Sequence, residues 1–76
     1  MNKERRNRLE EAKEKIAEIL CTIEEVRDEE EAAYDNLPES ILNGECGELM
    51  CNNVYELGEI CDSLESLSND IDKLIG

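Results

Sequence analysis

Apolar residues in the first half of the chain recur at alternating steps of three and four residues, which is typical of a long amphipathic helix. This row comprises Leu9, Ala12, Ile16, Ile19, Ile23 and Val26, and its register continues to Ala33 and Leu37. Leu20 and Tyr34 widen the row, so the helix is suited to more than one neighbour. Glu30 stands where an apolar residue is expected. Either the row ends near Val26, or the last turns diverge from their partner and leave Glu30 in water.

The second half of the chain contains two overlapping rows of the same kind. The first consists of Met50, Val54, Leu57, Cys61, Leu64, Ile71 and Ile75, with Ser68 as its polar interruption. The second consists of Leu57, Ile60, Leu64, Leu67, Ile71 and Leu74. One hairpin partner cannot cover both of these adjoining faces. Gly58 lies inside this helix at a cost of about 1 kcal/mol relative to Ala, which indicates either a close helix approach or no structural role.

The segment between the two helical patterns contains the residues that end helices. Pro38 cannot continue the first helix but suits the first turn of a short new one, which Asn43, Gly44 and Gly47 would end. We therefore predict a single all-α domain over residues 1–76, in which two long helices form an antiparallel hairpin joined by a short helical turn. The predicted elements are helix 1 over about 3–35, a short helix over about 38–43 and helix 2 over about 47–75.

The small size of the chain favours self-association. A domain of 76 residues buries only about 60% of the surface that its unfolded chain exposes. The chain has no Trp and no Phe, so its core is built from smaller side chains and gains from a partner subunit. We predict that the hairpin dimerises into a four-helix bundle or coiled coil. The expected oligomer interface consists of Leu57, Ile60, Leu64, Leu67, Ile71 and Leu74.

Charge is distributed very unevenly along this chain. The formal net charge is -13, yet residues 1–15 are basic on balance and residues 24–48 hold ten acidic groups against Arg27 alone. Antiparallel packing would bring Asp70 and Asp72 near the N-terminal arginines. The hairpin tip would keep its negative charge, which repels nucleic acid and anionic membranes and attracts basic protein surfaces.

The acidic end of helix 1 is the candidate partner-binding site. Its residues are Glu24, Glu25, Asp28, Glu29, Glu31 and Asp35. Over the span 24–31, a net charge of -5 gives about one charge per 2.4 Å of helix, against about one per 1.7 Å of duplex DNA. This density would allow the helix to imitate a nucleic acid in a Lys- or Arg-lined channel. The alternative is that the acidic run is only a solvated helix face.

The sequence argues against enzymatic chemistry and against a cofactor. There is no His, and therefore no imidazole base. Cys21, Cys46, Cys51 and Cys61 lack the spacing of a zinc site, and reduced thiols are expected in the absence of a secretion signal.

The basic segment 3–8 is short and lacks aromatic residues, so we expect no direct binding of nucleic acid. With no apolar segment for membrane insertion, the chain is expected to be cytoplasmic.

One stretch of the sequence resembles a group of small acidic helical proteins from phages and prophages of Gram-positive bacteria. In that group an Asp-Glu-Glu-rich helix end leads through an aromatic residue into Asp-Asn-Leu-Pro-Glu-Ser, as it does here over Val26–Ser40. Gly47–Glu48 and Asp62–Glu65 look like the later parts of the pattern, so the resemblance covers roughly residues 26–67. The chain departs from the pattern at Gly44–Cys46, where the group has Ser-Glu-Arg, and this removes a basic residue from the linker.

The resemblance implies a phage setting but no activity, because the group has none assigned. A phage setting favours a non-enzymatic inhibitor of bacterial immunity, similar to anti-CRISPR proteins, that binds a basic surface of a host nucleic-acid-processing or defence protein. The alternative is a structural or accessory oligomer of the phage, in which charge serves solubility and the apolar rows serve assembly. Both interpretations remain open at the level of the sequence.

Overall fold

The computed structural model describes the whole chain, Met1–Gly76, as three helices. Helix α1 spans Lys3–Asp35, α2 spans Glu39–Leu42 and α3 spans Glu45–Ile75. The two long helices pack against each other along their length. The molecule is accordingly a rod, with Cα extents of 59 × 15 × 13 Å. The predicted all-α helical hairpin is confirmed.

The ends of the helices follow from local chemistry. Asn2 caps α1, because its side-chain oxygen accepts a 2.8 Å hydrogen bond from the backbone N–H of Arg5. Pro38 directly precedes α2, where its missing N–H costs nothing. Helix α3 begins at Glu45, after Gly44 in extended backbone. Gly47 therefore lies in the first turn of α3, and the expectation that it would help to end the short helix is wrong.

Helix α3 turns the first of its two apolar rows towards α1. The residues of this row are half-buried or buried: Met50, Val54, Leu57, Cys61, Leu64, Ser68, Ile71 and Ile75. Cys61 is the only fully buried hydrophobic residue of the chain, at 3% exposure. A two-helix hairpin encloses little volume, so almost every other contact side chain keeps part of its surface in water.

The rows of side chains on α1 that pack against α3 differ in part from those that the sequence indicated. Leu20, Arg27 and Tyr34 are half-buried, whereas Ile19 and Val26 remain exposed. A contact between two helices covers about two adjacent rows on each. Helix α3 lies over the side of α1 that bears Leu20, which leaves the other flank of the apolar stripe uncovered. The residues that the predicted row shares with the observed interface are Leu9, Ala12, Ile16, Ile23, Glu30 and Leu37.

Glu30 neither ends the helix contact nor stays fully in water, which corrects both expectations for it. It is half-buried, and its carboxylate accepts a 2.9 Å hydrogen bond from the side-chain amide of Asn53. The contact between the helices extends past it, since Tyr34 and Leu37 are also half-buried. A polar pair across the interface thus takes the place of an apolar one.

The close approach of backbones in this hairpin occurs at Gly47 and not at Gly58. A Cβ atom on Gly47 would lie 2.0 Å from the carbonyl oxygen of Leu42, so only glycine allows α2 to fold against the start of α3. A Cβ atom on Gly58 would meet nothing within 4 Å. Of the two alternatives for Gly58, the structure supports the absence of a packing role.

Ion pairs at the open end differ from the expected pattern. Asp72 pairs with Lys13 on α1, and Asp70 lies 4.0 Å from Lys73 on its own helix. Neither carboxylate pairs with an N-terminal arginine, because the antiparallel register places Asp72 level with Lys13 and not with Arg5 or Arg8. These exposed pairs contribute little to stability, but they leave Arg5 and Arg8 free of ion-pair partners.

Candidate partner-binding surface

The six acidic residues singled out at the end of α1 fall into two groups on the helix. Four of them follow one another at steps of four, three and four residues, which places them on one side. These four, called the acidic row below, are Glu24, Asp28, Glu31 and Asp35. Glu25 and Glu29 lie about 100° or more around the helix from Glu24. The six side chains therefore do not form a single face.

The acidic row lies opposite the apolar flank of α1. Val26 is two residues from both Glu24 and Asp28, and two residues correspond to about 200° of helical rotation. Asp28, Glu31 and Asp35 are exposed, and Glu24 is half-buried. A partner could thus contact the acidic row without touching the apolar residues on the other side.

Only one cation compensates this negative charge. The Arg27 guanidinium lies 3.2 Å from the Asp28 carboxylate, and the hydrogen bond between them raises the pKa of Arg27. Glu25 accepts a 3.8 Å hydrogen bond from the thiol of Cys21. No ion pair reaches Glu29, Glu31 or any of the remaining acids of the tip. Their charges are available to a basic partner.

The hairpin adds three further carboxylates to the same end of the molecule. Glu39 lies in the first turn of α2, and Glu45 and Glu48 lie in the first turn of α3. All three are exposed. Negative groups near helix N-termini are stabilised by the helix dipole, so these residues suit their own helices, unlike the acids at the C-terminal end of α1.

A shallow groove crosses the two long helices near the tip. Its lining residues are Val26, Glu29, Glu30, Asn53, Glu56, Leu57 and Ile60, and we call it the tip groove. Glu56 and Glu30 join Glu29 there, although the sequence prediction did not include them. The signal that would have found Glu56 is the antiparallel pairing of the helices, which brings residue 56 level with residue 30.

A second groove lies at the open end of the hairpin. It is lined by Met1, Arg5, Arg8, Leu9 and Leu74, and we call it the open-end groove. Val26 and Ile60 lie in the tip groove, and Leu67 and Leu74 follow Ile60 at heptad intervals on α3. The two grooves therefore lie on the same side of the molecule.

The predicted oligomer interface on α3 is divided by its packing against α1. Leu57, Leu64 and Ile71 are half-buried, and Ile60, Leu67 and Leu74 are exposed. Helix α1 contributes Ile19 and Val26, which the sequence prediction assigned to the hairpin contact instead. The exposed apolar side chains of both helices form a strip that includes the two grooves and the surface between them. We call this strip the front face. Its exposed members, which retain between 43% and 60% of their surface, are Ile19, Val26, Ile60, Leu67 and Leu74.

The cysteines do not form a common site. Cys21, Cys46 and Cys51 are exposed free thiols, and Cys61 is buried in the hairpin contact. No group of three or more Cys, Asp or Glu side chains is arranged to hold a metal ion. Neither long helix is apolar enough over a sufficient length to cross a membrane.

Comparison with known proteins gives no relative. No protein-family model, no curated protein and no solved structure matches the chain.

Proposed function

We propose that this chain is a non-enzymatic phage or prophage protein that inhibits a bacterial defence system, as anti-CRISPR proteins do. Its acidic tip binds a basic surface of a host nucleic-acid-processing or defence protein, in the place of nucleic acid. The supporting observation is the acidic row, a line of carboxylates on one side of α1 with Arg27 as the only nearby cation. The resemblance to small acidic phage proteins supports the biological setting.

The spacing of the acidic row suits a phosphate-binding surface. Successive carboxylates of the row are separated by about 4.5–6 Å along the helix axis. Lys and Arg side chains that bind phosphates can form charge-assisted hydrogen bonds with such carboxylates. The rigid helix presents the charges in a fixed arrangement, which lowers the entropic cost of binding.

The proposal is tested by reversing the acidic row. The variant Glu24→Lys/Asp28→Lys/Glu31→Lys/Asp35→Lys should keep its helical circular dichroism but no longer retain a basic protein from a bacterial lysate. The matched control reverses four exposed acids in the first half of the same helix: Glu4→Lys, Glu10→Lys, Glu11→Lys and Glu14→Lys. It has the same net charge and should retain the protein. The wild-type complex should elute steeply as NaCl in the wash is raised, because exposed charges are screened. Unchanged capture by the acidic-row variant would refute this mechanism.

A second candidate function is that of a structural or accessory coiled-coil oligomer with no inhibitory role. The exposed apolar front face favours it, since monomers rarely leave such a strip in water. In this case the lysate experiment should yield no basic partner, and function should be lost only when the exposed Leu67 or Leu74 is replaced by Asp and the assembly dissociates in light scattering.

A further inference from the structure

We infer that the front face binds a second copy of this chain in antiparallel orientation, with the open-end groove of each copy against the tip groove of the other. The expected dimer is a four-helix bundle with the two hairpin tips at opposite ends. The inference rests on the packing and charge of the hairpin and is independent of what the acidic row binds.

The single hairpin leaves a large part of its apolar surface in water. Cys61 is its only fully buried hydrophobic residue, whereas the front face runs from Leu9 to Glu30 on α1, about 32 Å along the helix axis. With two helices about 20 Å wide together, its footprint is about 600 Å². This footprint is of the same order as the about 800 Å² per partner of a standard stable interface.

The two grooves on that face carry opposite charge. The open-end groove contains Arg5 and Arg8, and the tip groove contains Glu29, Glu30 and Glu56. A parallel dimer would set arginines against arginines and glutamates against glutamates. An antiparallel dimer sets each pair of arginines against the glutamates of the other copy, and complementary charges of this kind fix the orientation of an interface.

The basic and acidic residues of the front face lie at equal distances on either side of Ile19. Arg8 precedes Ile19 by eleven residues and Glu30 follows Ile19 by eleven, so each lies about 16 Å from it along the axis. A twofold axis near Ile19 therefore brings Arg8 of one copy level with Glu30 of the other. Val26 and Ile60 share the tip groove, and Leu67 lies two turns beyond Ile60, at the level of Ile19. Ile19 and Leu67, both about half exposed, would meet their counterparts at the centre of the dimer.

The orientation is tested by charge reversal in the full chain, with the dimer dissociation constant measured by sedimentation equilibrium. Arg5→Glu/Arg8→Glu should weaken the dimer by about tenfold or more, since exposed attractive pairs become repulsive. The control Lys3→Glu/Arg6→Glu makes the same change in net charge outside the groove and should alter the constant by less than about threefold. Adding Glu29→Arg/Glu56→Arg, at two exposed acids of the tip groove, to the first variant should restore dimerisation.

A parallel dimer would respond differently, because arginine facing arginine and glutamate facing glutamate are equally unfavourable. Arg5→Glu/Arg8→Glu would then leave the constant unchanged, and the fourfold variant would gain nothing over it. Either result overturns the antiparallel arrangement, as does a wild-type chain that stays monomeric at millimolar concentration.

The apolar part of the interface is tested separately. Leu67→Asp should give a monomer, while Tyr55→Asp, at the exposed Tyr55 outside both grooves, should remain dimeric. Helical circular dichroism must be retained for this comparison. Should Leu67→Asp unfold, Ile19→Ser takes its place, because Ile19 is uncovered in the single hairpin and its loss affects only the dimer. A dimer that persists with wild-type affinity in both front-face variants would show that another surface associates.

Discussion

The side-chain amide of Asn53 on α3 donates a 2.9 Å hydrogen bond to Oε2 of Glu30 on α1. Both residues are half-buried, so this pair occupies positions where the helix pattern calls for apolar contact. A partly buried carboxylate that loses its donor is left poorly solvated. The bond therefore allows a charged residue to remain within the interface and ties the two helices together near the tip.

Removing the amide should measurably destabilise the hairpin. Asn53→Ala is expected to lower the free energy of unfolding by about 1 kcal/mol, measured by urea denaturation at fixed protein concentration. A double-mutant cycle with Glu30→Ala should give a coupling energy of about 0.5–1.5 kcal/mol. The control is Asn52→Ala, which alters an exposed amide with no hydrogen-bond partner in the structure. A coupling energy indistinguishable from zero would mean that the bond does not hold the helices together.

Alanine substitutions at the two glycines of α3 should act in opposite directions. Gly47→Ala would place a Cβ atom 2.0 Å from the carbonyl oxygen of Leu42, and relieving such overpacking costs about 1–3 kcal/mol. Gly58→Ala meets no atom within 4 Å and should stabilise the helix by about 0.5–1 kcal/mol. Thermal unfolding followed by circular dichroism would show both shifts. If the two variants move the melting temperature in the same direction, the close approach of α2 to α3 is incorrect.

Tyr55 should titrate at higher pH than an ordinary tyrosine. Interaction with the carboxylate of Glu59, one turn further along α3, is the largest cause, and it raises the pKa of Tyr55 above 10.0. Because the folded chain holds this proton more tightly than the unfolded chain, the resulting stability is fully present below pH 10. It is lost as the pH rises through the folded-state pKa.

The measurement uses ultraviolet absorbance of phenolate in a Tyr34→Phe background, which leaves Tyr55 as the single tyrosine. Glu59→Gln should lower the pKa of Tyr55 towards 10.0. The matched control is Glu65→Gln, which neutralises an exposed acid of the same helix that is not among the causes of the shift. Equal titration curves for wild type and Glu59→Gln would contradict the proposed contact.

The sequence could predict which acidic residues of α1 lie near the hairpin tip, but it could not predict which residues of α3 lie beside them. Local sequence already placed the carboxylates Glu24 and Asp28 near the hairpin tip, and helical periodicity alone separates their side from that of Glu29. Glu56 could not be assigned to the tip groove in this way, because it is 26 residues from Glu30 along the chain. Only the antiparallel pairing of α1 and α3 brings these two glutamates to the same level.

The sequence by itself determined the helical hairpin and the two apolar rows of α3. Pro38 ends the first helix through covalent geometry, and the row that includes Val54 and Cys61 is apolar along α3 except at Ser68. The tertiary structure alone decided that Leu20, and not Ile19, faces the partner helix. Periodicity shows that a helix has adjacent apolar rows, but which row is covered depends on contacts between residues far apart in the chain. That choice left the front face exposed.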